Sequence, residues 1–70
     1  MNATDQIKVL NSDFIIIRER ETGMKQENIL ICCKTKAQPE WHHFETGFRS
    51  KAARRRRMKT LLECSLVIED

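Results

Sequence analysis

Hydrophobic and polar positions along this chain fall into short blocks rather than one long repeat. The clearest block is Phe14–Arg20, where Phe14 and three successive isoleucines precede alternating charges. β-Branched residues at that density suit a pleated surface and crowd a helix, so the block predicts a strand. A second run, Asn28 to Lys36, holds Ile29, Leu30, Ile31, Cys32 and Cys33 before it turns polar. Between the two, Glu21-Thr22-Gly23-Met24-Lys25 reads as a break, with Gly23 available for a positive φ. Two such runs joined by a polar link predict an antiparallel hairpin, with Phe14 near Cys33 or Thr35 and Arg20 near Asn28.

Further along, Ala37-Gln38-Pro39-Glu40 marks a turn and Trp41 to Glu45 a third strand ended by Gly47. Strict alternation would place Trp41, His43 and Glu45 on one face of that strand and His42 and Phe44 on the other. Ser50 is a good N-cap for a helix from Lys51 to about Cys64. Helical spacing puts Met58, Leu61 and Leu62 on its inner stripe, with Arg54 and Arg55 beside them and Arg56, Lys59 and Glu63 opposite. Leu66-Val67-Ile68 then predicts a short closing strand. At the other end, Ile7 and Val9 alternate with Lys8 in Gln6–Leu10, a weaker strand signal, and Met1–Asp5 reads as a loose end.

The expected architecture is α+β: a three- to four-stranded antiparallel meander, one C-terminal helix packed on one face, and a short final strand, in the order β-β-β-α-β. Its core would join Ile15 or Ile16, Ile31, Met58, Leu61 and Leu62. The other sheet face would stay uncovered, making Trp41 and His43 a candidate contact surface.

Size narrows the choices. Seventy residues make one domain, 1–70, near the lower limit at which a hydrophobic core alone holds a fold. No stretch approaches the ~20 apolar residues that span a bilayer, and no apolar leader follows the polar start, so no membrane partner is expected. The cysteines number three, and the adjacent pair Cys32 and Cys33 would diverge to opposite faces of a strand. Free thiols, no disulfide and a cytoplasmic location are the expectation.

Charge changes the picture most. Residues 1–49 carry seven basic and seven acidic groups, so the net +3 of the chain arises entirely from residues 50–70. There Arg54-Arg55-Arg56-Arg57 runs unbroken between Lys51 and Lys59. Guanidinium forks match phosphate oxygens, and a basic patch steers toward polyanions. Lys51, Arg54, Arg55, Arg56, Arg57 and Lys59 are therefore the candidate nucleic-acid-binding residues. The structural alternative is a solvated helix whose arginines pair with Glu45, Glu63, Glu69 or Asp70.

Other chemistry is thinly represented. Cys32, Cys33, His42 and His43 lack the paired spacing of a structural zinc motif, although one cysteine and one histidine can meet across neighbouring strands. A Cys–His nucleophile would also need an orienting group and a water-excluding pocket, which a domain this small rarely encloses. No phosphate loop, dinucleotide fingerprint or nucleophile elbow is present. No catalytic residue, cofactor or metal is expected, and the chain is read as a non-enzyme. In layout alone it is similar to small three-stranded-sheet-plus-helix DNA-binding domains of integrases and plant transcription factors, without their sequence motifs, so no residue role is carried over. The sequence thus points to a small binding module that contacts nucleic acid through a basic helix. The alternative is a protein-interaction module or homodimer using an exposed sheet face or edge.

Overall fold

The computed structural model describes residues 1–21 and 29–70. The chain opens with a helix, α1 (Ala3–Asn11), whose N-cap Asn2 accepts the Asp5 N–H through Oδ1 at 2.8 Å. Asp5 in the first turn also complements the positive end of the helix dipole. This corrects two expectations, the loose end at Met1–Asp5 and the front strand at Gln6–Leu10. The alternation of Ile7 and Val9 is incidental. The inward set is Gln6, Val9 and Leu10, spaced i, i+3, i+4, while Ile7 is 59% exposed. A short turn follows in which Asp13 takes φ 67°, a left-handed conformation that a short polar side chain tolerates.

Four strands follow: β1 (Ile15–Glu21), β2 (Ile29–Lys34), β3 (His42–Glu45) and, after helix α2 (Lys51–Leu62), β4 (Val67–Glu69). They form one sheet in the order β3-β2-β1-β4. The α+β class and the β-β-β-α-β succession hold as expected from the sequence, with α1 added in front. β1 and β2 are antiparallel, with Ile17 opposite Cys33 and Arg20 opposite Leu30. Against the expected register of Phe14 near Cys33 or Thr35 and Arg20 near Asn28, Arg20 is displaced by two residues and Phe14 lies just before β1. The expected break around Gly23 and the start of the second strand at Asn28 lie outside the described residues.

The sheet is mixed rather than wholly antiparallel. β4 runs parallel to β1, pairing Ile15 with Val67 and Ile17 with Glu69. α2 accounts for this: it carries the chain back across the sheet, the kind of crossover that parallel pairing requires.

The sheet has two covered faces. On one, Ile17, Ile31, Cys33 and Met58 form a buried cluster, with Phe48, Leu61, Leu62 and Val67 packed against it. On the other, alternation directs Ile16, Leu30 and Cys32, all buried. α1 packs against β1, and the Lys34 ammonium reaches the Gln6 side-chain oxygen at 2.9 Å. The expected core is therefore split. Ile31 and Met58 share the α2 side, Ile16 serves the α1 side, and Ile15 is 36% exposed. Leu61 and Leu62 are half-buried at the margin of the cluster.

A β-bulge in β3 sets the direction of Glu45. Cys33 pairs with His42 and Cys32 with His43, but Ile31 pairs with Glu45, leaving Phe44 as the extra residue. The bulge rephases the strand, so Glu45 falls on the α2 side with His42 and not, as strict alternation predicts, with His43. Gly47, at φ 76°, then turns the chain toward α2.

Candidate functional site

Ser50 caps α2 as its sequence position predicts, its hydroxyl oxygen accepting the Ala53 N–H at 3.1 Å. The helix carries no acid in its first turn, so its N-terminal cations oppose the dipole and need carboxylates from elsewhere. The sheet supplies them. In β1 the alternating Arg18-Glu19-Arg20-Glu21 puts both glutamates on the α2 face, since side chains two apart share a face.

Arg54 is the centre of the resulting network and is 4% exposed. Its Nε–H donates to Glu19 Oε2 at 3.0 Å, with Nη2 2.9 Å from the same oxygen. Its Nη1 donates to the Arg20 carbonyl at 2.9 Å and to Glu21 Oε2 at 2.6 Å. Arg55 bridges β1 and β4, donating to Glu19 Oε1 and Glu69 Oε2, each at 2.6 Å. Arg57 donates through Nε to Glu45 Oε1 at 3.2 Å, and the Lys51 ammonium lies 3.2 Å from Glu21 Oε1.

These contacts shift ionisation in the directions expected. Hydrogen bonds from Arg54 and then Lys51 hold the Glu21 carboxyl below the usual range. Glu69 and Glu19 push the Arg55 guanidinium further above its already high range.

Four of the six candidate cations thus have carboxylate partners: Lys51, Arg54, Arg55 and Arg57. Glu45 and Glu69 were legible as partners in the sequence. Glu19 and Glu21 were missed, although the period-two charge pattern of β1 was the signal for them. Arg56 and Lys59 are exposed on the outward side of the helix, with no carboxylate partner among the described residues.

The expected contact face at Trp41 and His43 is different in kind. The Trp41 ring is half-buried, with the Arg18 guanidinium 5.2 Å and the Lys34 ammonium 4.8 Å from its centroid. Cation–π contacts of this sort close the ring over the α1 side of the sheet. His43 is exposed.

Pairing of β3 with β2 also brings one histidine to one cysteine. Cys33 Sγ lies 3.0 Å from His42 Nε2, and His42 Nδ1 lies 3.0 Å from the Glu40 carbonyl oxygen. A carbonyl only accepts, so Nδ1–H donates to it, and Nε2 is left to accept the Cys33 S–H. Burial, reinforced by the neighbouring Cys32, pushes the Cys33 thiol up, which keeps it neutral. Cys32 is buried, Cys64 is exposed, and all three thiols are free. Among the described residues there is no cavity over the pair.

Neither described helix is long and apolar enough to cross a membrane. Compared with protein-family models, with characterised proteins and with solved structures, the chain matches none.

Proposed function

We propose that this domain is a small polyanion-binding module that contacts the nucleic-acid backbone through the outward side of α2. One observation carries the proposal: among the described residues, four of the six cations on α2 pair with carboxylates, Glu19, Glu21, Glu45 and Glu69, and two have no such partner. Those two, Arg56 and Lys59, are one turn apart and both exposed. Arg49, also exposed, precedes the helix N-cap and adds a further cation near its start. The inner arginines hold the helix on the sheet, and the outer cations are the ones available to phosphate.

The alternative, a protein-interaction module, is favoured by the β3 edge. Among the described residues β3 has no strand on its outer side, and its bulged Phe44 is 48% exposed next to the exposed His43. Unpaired edge groups beside an exposed aromatic suit an added strand.

The deciding experiment titrates a labelled duplex and a labelled single strand at two salt concentrations with wild type and the Arg56→Ala/Lys59→Ala double variant. Phosphate contact predicts weaker binding across sequences and a salt slope flattened by about one unit per lost contact. Equal, salt-insensitive titrations for both proteins would reject nucleic acid as the ligand.

A further inference from the structure

We infer that Cys33 and His42 together form a binding site for a soft monovalent metal ion of the copper(I) class. Three features of the pair support the assignment independently of the α2 cations. First, the two donor atoms face each other at 3.0 Å across the β2–β3 pairing, in which His42 lies directly opposite Cys33 and so shares its face. Second, the far nitrogen of the histidine is already fixed, with Nδ1–H bonded to the Glu40 carbonyl at 3.0 Å. Metal-ligating histidines nearly always donate their other ring N–H in this way, which fixes the tautomer and turns the lone pair of the ligating nitrogen toward the metal. Third, Cys33 belongs to a buried cluster with Ile17, Ile31 and Met58, so the thiol sits in apolar surroundings.

The chemical class follows from ligand number and softness. Among the described residues no three His, Cys, Asp or Glu side chains converge, so the four-ligand set that zinc favours is not assembled. A thiolate with one imidazole in apolar surroundings suits a soft ion that accepts few ligands. The binding step replaces the Cys33 S–H···Nε2 hydrogen bond. The S–H bond breaks, its proton passes to solvent, and the thiolate and imidazole lone pairs form two bonds to the ion. Neutral thiol, neutral imidazole and a +1 ion thus give a neutral complex and one proton, with no change of oxidation state. The two donors must separate by a fraction of their present spacing to admit the ion, and β3 is a sheet edge, which moves more readily than a central strand.

The test presents the full chain, anaerobically, with copper(I) held by a coloured chelator. Wild type and Cys64→Ser are each expected to withdraw one equivalent, and His42→Gln and Cys33→Ser to withdraw none. His42 is half-buried and Gln keeps a polar side chain there, so that variant tests the site even if Cys33→Ser does not fold. X-ray absorption of the bound ion is expected to show nitrogen as well as sulfur in its first coordination sphere. Failure of wild type to take copper, loss of uptake in Cys64→Ser, full uptake by His42→Gln, or sulfur-only coordination would each overturn the site. So would equally tight uptake of zinc(II). Nucleic-acid binding is unaffected by any of these outcomes.

Discussion

The buried Arg54 guanidinium holds Glu19 in a fork, with Nε 3.0 Å and Nη2 2.9 Å from the same carboxylate oxygen. This joins the N-terminal half of α2 to the centre of the sheet, where the helix has no large apolar residue. Arg54→Ala is expected to cost ~3–5 kcal/mol, the range for breaking a buried ion pair by removing one partner. Arg55→Ala, next along the same helix but 44% exposed, is expected to cost under ~1 kcal/mol. Both replace arginine by alanine in a helix, so propensity cancels in the comparison. Urea titration of the two variants measures the difference, and equal midpoints would show that burial of Arg54 adds nothing.

The same network makes stability depend on acid. Arg54 and Lys51 lower the Glu21 carboxyl in the folded chain, so the unfolded chain binds that proton more readily. The sign follows: the Glu21 contribution is complete above the ordinary glutamate value of ~4.3 and is lost as pH falls through the lower folded value. Thermal midpoints of wild type and Glu21→Gln are therefore expected to differ at neutral pH and to converge in acid. A constant gap down to the acid limit would mean that Glu21 titrates as it does in an unfolded chain.

Packing around Met58 gives a third comparison. Met58 is wholly buried in the α2-side cluster, whereas Leu61 is only partly covered at its margin. Met58→Ala is expected to cost ~2–5 kcal/mol, a large share of the stability of a domain this small. Leu61→Ala should fall clearly below it in the same chemical denaturation series. The reverse order would place the centre of this core one turn further along α2.

The contrast between those two residues shows what was legible in the chain. Propensity and composition located β1, β2, β3, β4 and the cap of α2, because isoleucine runs and Ser50 act locally. Helical spacing identified Met58 as inward-facing, but it could not distinguish the middle of a short helix from its end. α1 was hidden because Ile7 and Val9 mimic a strand alternation, while the true signal was the Asn2 cap with Asp5 in the first turn. The phase of β3 was not readable, since a bulge leaves no mark in four residues of mixed polarity. In the candidate site, the cluster of cations was plain but the division of labour within it was not. Which arginines are neutralised depends on Glu19 and Glu21, over thirty residues away in sequence at the Arg54 contact.

That division is tested most sharply by two neighbouring arginines with opposite expected phenotypes. Arg57 donates to Glu45 at 3.2 Å with both side chains partly exposed, so Arg57→Ala should lose ~0.2–1 kcal/mol of stability. Arg56 has no carboxylate partner among the described residues, and alanine is the better helix former, so Arg56→Ala should be neutral or stabilising by a few tenths of a kcal/mol. Polyanion binding should rank the other way. Arg56→Ala removes a cation free to meet phosphate, whereas Arg57→Ala also releases the Glu45 carboxylate, whose position beside β2 keeps it on the sheet side of α2. A double-variant cycle of Arg57 with Glu45 isolates the pair from the propensity change, and a duplex titration at low salt ranks affinity. Arg57→Ala weakening binding more than Arg56→Ala would move the phosphate contact to the sheet-facing side of α2. Equal stability losses would mean that Arg56 has a partner of its own.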